Sequence, residues 1–138
     1  FVSAIGTGGT ISGVGESLRT VYPKVKIVGV EPTRSPVLAG GDPGPHKIQG
    51  IGAGFIPKNL NTDLVDSVET VTNDEAFNWS RRVAREEAIF GGISTGANIC
   101  AACNVASKPE NKAKNIVTIG CSFGERYLST PMFADLQG

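Results

Sequence analysis

The sequence predicts an α/β fold, a mostly parallel sheet flanked by helices. Three observations carry that expectation. Short apolar runs such as "FVSAI", "KVKIVGVEP", "LVDSVETV" and "NIVTIGC" have the length and β-branched content of buried strands. Segments with helical patterning separate them, so strand and helix alternate along the chain. Gly- and Pro-rich stretches punctuate the alternation.

The first strand, "FVSAI", runs into the glycine loop "GTGGT", and a helix is expected from about Ile11 to Val21. "KVKIVGVEP" forms the second strand and stops at Pro32. Strand, helix and strand at this spacing make a βαβ unit, whose crossover implies parallel strands covered on both faces. From Pro32 to Pro57 the chain is rich in Gly and Pro, and so long a connection in a compact domain is usually functional or disordered. "LVDSVETV" is the third strand. Thr72, three residues before Glu75, marks a helix start that pairs a hydroxyl with a carboxylate. That helix should run to about Ala88, with Phe77, Val83 and Ala84 on one face. "FGGISTG" breaks it, a small-residue helix follows to about Ser107, and "NIVTIGC" is a last buried strand before "SFGERYLS".

The 138 residues suit one domain, and a hydrophobic fraction of 40% supports a real core. Because the first residue, Phe1, already belongs to a strand pattern, the chain is expected to be part of a longer one. Charge is balanced, 13 basic against 13 acidic residues, which disfavours a dedicated nucleic-acid or membrane-surface protein. The apolar runs are too short to span a bilayer. Cys100, Cys103 and Cys121 are too few for a disulfide scaffold and fit a reducing compartment. Cys100 and Cys103 make a C-x-x-C within the alanine-rich run "GANICAACNVASK", so they read as small core residues of a helix, and no metal site is expected. His46 is the sole imidazole.

Open α/β sheets bind ligands beyond the carboxyl ends of their strands. Three segments should meet there, the glycine loop, the long loop and the turn at "GGISTG", and "CSFGE" also follows a strand end. A loop that feeds a helix N-terminus presents unpaired N–H groups and partial positive charge, which suits a phosphate. Gly6, Gly8 and Gly9 let the backbone approach such a group, and Thr7 and Thr10 can add hydroxyl donors. A dinucleotide G-x-G-x-x-G fails because Ile11 occupies the last position, although Glu31 stands where that fold wants an acid. No Walker G-K-[ST] occurs. The loop therefore suits a single phosphate, or is a tight turn without a ligand. Gly92-Ile93-Ser94-Thr95-Gly96 matches the G-x-S-x-G of hydrolases, but that arrangement needs a histidine after the serine and none follows Ser94.

Five segments in order, "GTGGTISGVG", "GVEP", "PGPHKIQGIGAGFIP", "GGISTGAN" and "SFGERYLST", resemble cysteine synthase, also called O-acetylserine sulfhydrylase. This is a pyridoxal-phosphate enzyme of the tryptophan-synthase-β fold type. "HKIQGIGAGFIP" with "GERYLS" looks like this family rather than its relative cystathionine β-synthase. The resemblance implies that the chain is a carboxyl-terminal portion, the larger phosphate-binding domain of a fold type II enzyme. It implies that Gly6, Thr7, Gly8, Gly9 and Thr10 cradle the cofactor phosphate, that Ser94 faces the pyridine nitrogen, and that Gly50 and Gly52 approach the cofactor's substrate side. Ser94 could also serve as the N-cap of the small-residue helix. The implied reaction replaces the acetate of O-acetylserine by sulfide.

The family's Schiff-base lysine and its T-S-G-N-T-G loop match nothing here: the lysines at 24, 26, 47, 58, 108, 112 and 114 stand in other contexts. No catalytic residue is therefore expected in this chain, and the chain alone should be inactive. Cys121 stands where the family usually has proline. The resemblance also implies a homodimer, serine acetyltransferase as a possible partner, and a cytoplasmic location, or a plastid or mitochondrion in a plant. Alternative readings are a cystathionine β-synthase or an O-phosphoserine-using relative, and a non-catalytic regulator that binds pyridoxal phosphate or a serine acetyltransferase tail.

Overall fold

The computed structural model describes residues 1–136. Three parallel strands, β1 (Val2–Ala4), β2 (Val28–Pro32) and β3 (Ser67–Val71), pair in the order β1-β2-β3. Val2 lies opposite Val28, and Val28 opposite Ser67. Helix α1 (Gly9–Val21) connects β1 to β2, and helices α2 (Asn73–Glu87) and α3 (Ile93–Ala106) follow β3. The expected parallel α/β sheet is therefore present.

Both faces of the sheet are covered, and the period of two along β2 shows how. Val28 and Val30 join Ala76, Phe77, Ala97 and Ala101 in the main core, on the side of α2 and α3. Ile27, one residue before Val28, joins Ile5, Ile11 and Leu60 in a second cluster, on the side of α1. Gly15 of α1 stands against Ile27, so the helix sits close to the sheet. All five residues of β2 are buried, as a central parallel strand requires.

Local signals place most boundaries well. Thr72 accepts from the Glu75 N–H, and Glu75 Oε2 accepts from the Thr72 N–H at 2.8 Å, so the anticipated capping box closes. Helix α1 starts at Gly9 rather than near Ile11, because the last residues of the glycine loop already form its first turn. Residues 33–61 contain no regular element but are tied down. Both oxygens of buried Glu31 accept backbone N–H groups, from Leu38 at 2.7 Å and Ala39 at 3.1 Å.

One expected strand is not there. "NIVTIGC" was expected as a buried strand, yet residues 115–121 make a single parallel bridge, Val2 with Thr118. The Val2 N–H donates to Val117 O, and Thr118 Oγ1 donates to Val2 O. Val117 is 58% exposed. This segment meets the open edge of β1 at that one point, and a single bridge does not make a repeated ladder. Among the described residues no helix is long and apolar enough to cross a membrane.

Candidate functional site

A cavity of about 520 Å³ opens at the carboxyl end of β1. That volume is within the ordinary range for small-molecule sites. Its wall brings together the segments that the sequence pointed to. Ser3 and Ala4 end β1; Gly6, Thr7, Gly8 and Thr10 come from the glycine loop and the first turn of α1. Gln49, Gly50 and Ile51 come from the long loop, Ser94 and Asn98 from α3, and Cys121, Ser122, Phe123, Arg126 and Tyr127 from the segment after residue 120.

The glycine loop is built for close approach. Gly8 has φ +85°, and a Cβ there would fall 2.7 Å from Leu60 Cβ and 2.9 Å from the Leu60 nitrogen. Only glycine takes this turn without strain while packed on Leu60. The N-cap residue, Gly8, has no side chain to cap α1, Thr7 Oγ1 takes the Gly9 N–H at 3.5 Å, and the first turn holds no acid. The start of this 13-residue helix thus aims free N–H groups and the positive end of its dipole at the cavity. Thr7 and Thr10 add hydroxyls to the same wall. The chemistry of this donor set matches a phosphate ester, which brings acceptor oxygens and negative charge.

Two site residues lie elsewhere. Gly9 is exposed on the outer side of the first turn, off the cavity wall. Gly52 sits behind the long loop, beside Ile5, Glu31 and Ser35. Its carbonyl accepts from His46 Nε2 at 2.9 Å, while the Ile48 N–H donates to His46 Nδ1 at 3.2 Å. The sole imidazole is therefore a staple of the loop, with its proton on Nε2. That leaves the hydrolase reading of Ser94 without a base. The dinucleotide reading also loses its acid, since Glu31 is occupied by the Leu38 and Ala39 amides.

Ser94 is 5% exposed and stands in the first turn of α3, whose N-cap is Gly92. The N-cap role that the sequence allowed for Ser94 is thus not the one it has. Its Oγ donates to Ser122 Oγ at 2.8 Å and accepts from Cys121 Sγ at 3.2 Å. Thr95 stitches the same segment down: its Oγ1 donates to Ser122 O at 2.8 Å, and the Ser122 N–H donates back at 3.0 Å. Asn98, 1% exposed, accepts from the Ala4 N–H at 2.7 Å and donates to Ile119 O at 2.8 Å, locking α3 to the end of β1. Asn98, Ser122 and Arg126 were not singled out from sequence. A buried amide in an otherwise small and apolar helix was the available signal for Asn98. Ser122 and Arg126 carried none, because their partners are distant in sequence. Arg126 is the one charged side chain of the cavity wall among the described residues, and its guanidinium lies 5.1 Å from the Phe123 ring centroid.

Cys100 is buried on α3 and Cys103 half-buried, both as free thiols. Burial pushes the Cys100 thiol up to about 11, which removes it from thiolate chemistry near neutrality. Among the described residues no three His, Cys, Asp or Glu side chains cluster to hold a metal.

The family described as "Pyridoxal-phosphate dependent enzyme" matches residues 1–122. A cysteine synthase of Staphylococcus aureus is 57% identical over 134 residues, 97% of this chain and 43% of that protein. The chain therefore spans less than half the length of the curated relatives it matches. An O-acetyl serine sulfhydrylase isoform 3 from Entamoeba histolytica superposes with a TM-score of 0.93 at 44% identity, covering 96% of this chain and 40% of that one. An O-acetylserine dependent cystathionine beta-synthase from Helicobacter pylori superposes with a TM-score of 0.85 at 39% identity, covering 96% of this chain and 43% of that one.

Proposed function

This chain belongs to the pyridoxal-phosphate dependent enzyme family, with the fold of the type II members, and we propose that it is the phosphate-binding, carboxyl-terminal portion of a cysteine synthase. The observation that carries the reading is the meeting of an uncapped, glycine-led helix N-terminus and the Ser94 hydroxyl in one cavity. The two features match the two ends of one ligand, a phosphate ester and a pyridine-type nitrogen.

Gly6, Thr7, Gly8 and Thr10 would hold the phosphate through backbone N–H groups and the two hydroxyls. Gly9, off the wall, shapes the turn from behind. Ser94 would donate from Oγ to the ring nitrogen. A neutral hydroxyl supports a positive ring nitrogen less than a carboxylate does, which favours a milder electron sink. When bound, pyridoxal phosphate supplies the electron sink that lets the β-substituent of an amino acid leave and be replaced. Gly50 would line the substrate side, with Gly52 fixing the loop through His46. The cavity wall holds no lysine among the described residues, so the amine that the chemistry needs belongs to the rest of a longer protein.

The substrates in this reading are O-acetylserine and sulfide. The higher identity to a cysteine synthase than to a cystathionine beta-synthase supports sulfide as the second substrate. A homodimer, serine acetyltransferase as partner and a cytoplasmic location are part of the same proposal and rest on the resemblance. The intact protein, supplied with pyridoxal phosphate, should show a visible cofactor band and form cysteine from O-acetylserine and sulfide faster than cystathionine from serine and homocysteine. No cofactor band after addition of pyridoxal phosphate would sink the reading, and the opposite substrate preference would redirect it to the cystathionine reaction.

A further inference from the structure

We propose that Cys121 is a positioning residue that aims the Ser94 hydroxyl proton into the cavity. The inference rests on the reading above, in which Ser94 Oγ meets a ring nitrogen. A hydroxyl has one proton to give and two lone pairs to receive with, so which way it points depends on its neighbours. Cys121 Sγ lies 3.2 Å from Ser94 Oγ and donates to it. The sulfur in turn accepts from Asn98 Nδ2 at 3.6 Å. The Asn98 amide cannot turn over: its Oδ1 takes the Ala4 N–H at 2.7 Å and its Nδ2 also reaches Ile119 O at 2.8 Å. The sulfur thus receives from Asn98 on one side and gives its proton to Ser94 Oγ on the other. With Ser94 Oγ receiving that proton, the hydroxyl proton has to leave on another side.

The donor direction therefore runs one way, from the Asn98 amide to the Cys121 thiol to the Ser94 hydroxyl. In this structure the chain ends on Ser122 Oγ, 2.8 Å from Ser94 Oγ. Ser122 Oγ also receives the Thr95 N–H at 3.3 Å, so it is a shared acceptor. A ring nitrogen offered from the cavity competes with it for a single proton that already points away from Cys121. Hydrogen bonds in such a chain polarise one another, so each upstream donor strengthens the last link. Without the thiol, Ser94 Oγ loses the donor that holds its proton on the far side from Cys121. Its proton can then turn toward the vacated space, and the bond to the ring nitrogen weakens. Cys121 does this through Ser94 and takes no part in bond making.

The test loads the intact protein, and its Ser94→Ala, Cys121→Ala and Cys121→Ser variants, with pyridoxal phosphate labelled with nitrogen-15 in the ring. The readout is the ring-nitrogen chemical shift, which moves when a hydrogen bond to that nitrogen is lost. Ser94→Ala should give the full shift change. Cys121→Ala should move the shift in the same direction by a smaller amount, and Cys121→Ser, which restores a donor at the same position, should return it to the parent value. A Cys121→Ala shift equal to the parent overturns the proposal, including the case in which only thermal stability falls. A Cys121→Ser shift equal to that of Cys121→Ala also overturns it. If Ser94→Ala itself leaves the shift unchanged, the Ser94 reading fails and takes this inference with it.

Discussion

At the residue scale, Gly8 and its neighbour Gly9 look alike in sequence and differ in what surrounds them. Gly8 has φ +85° and a built Cβ would meet Leu60 at 2.7 Å, whereas a Cβ at Gly9 would meet only Thr7 Oγ1, at 3.6 Å. Gly8→Ala should destabilise the intact protein by roughly 1–3 kcal/mol, through a left-handed backbone that no longer fits. Gly9→Ala should be neutral or stabilising by up to about 1 kcal/mol, because the residue is helical. Denaturant unfolding of the two variants checks this, and equal effects would contradict the loop geometry. The cysteines divide in the same way by environment. Cys100 is a buried thiol raised to about 11, Cys103 is half-buried and Cys121 is exposed. Peptide mapping during iodoacetamide treatment should find Cys121 modified first and Cys100 last; early modification of Cys100 would count against its burial. The sign of the pH effect follows. The folded state keeps the Cys100 proton at a pH where the unfolded chain, with its ordinary value of 9.0, has released it. This contribution to stability is therefore lost as pH rises from about 9 to about 11.

At the scale of elements, α2 and α3 show a local rule and its override. The start of α2 is written locally, since Thr72 and Glu75 satisfy each other within one turn. Thr72→Ala should cost about 1 kcal/mol, the usual price of a lost N-cap. The start of α3 is set from outside: Ser80 Oγ on α2 donates to Gly91 O at 2.7 Å and Gly92 O at 3.0 Å. "FGGISTG" reads as a helix breaker, yet the helix begins at Ile93 and includes Gly96. A Cβ on Gly96 would come 2.0 Å from Ala76 O and 2.7 Å from the Ser80 nitrogen. Helix propensity alone favours Gly96→Ala by about 1 kcal/mol. Backbone displaced by an inserted methyl costs about 1–3 kcal/mol or more. Packing should win, and Gly96→Ala should lower the unfolding midpoint further than Thr72→Ala. A stabilised Gly96→Ala variant would mean that the two helices are not in such close contact.

At the scale of the whole molecule, the site is a wall of donors without an amine. Among the described residues the cavity carries one charge, Arg126, and no lysine. Lys58 lines the adjoining groove, which shares Gly6, Thr7, Gly50 and Ile51 with the cavity, and is not itself on the cavity wall; Lys47 is exposed on the long loop. Residues 1–138 on their own should therefore bind pyridoxal phosphate reversibly and form no cysteine. Borohydride reduction followed by mass spectrometry should find no stoichiometric adduct on any lysine of this chain. A single modified lysine together with measurable cysteine formation would show that the chain carries its own amine.

Strands β1, β2 and β3, the α2 cap, the glycine loop and the segments of the cavity were legible in the sequence, because periodicity, capping and turn chemistry act between near neighbours. Other features depend on residues far apart. Asn98 holds Ala4 across 94 positions, and Ser94 meets Ser122 across 28. Glu31 and His46 looked available for chemistry and are instead occupied by the backbone of the long loop. Gly52 has the glycine that the motif asks for but turns behind the wall rather than onto it. "NIVTIGC" has strand composition, but a strand forms only where a partner completes the ladder, and β1 supplies one bridge. Residue type states what a group can bond to; only the folded chain decides which partner is close enough to satisfy it first.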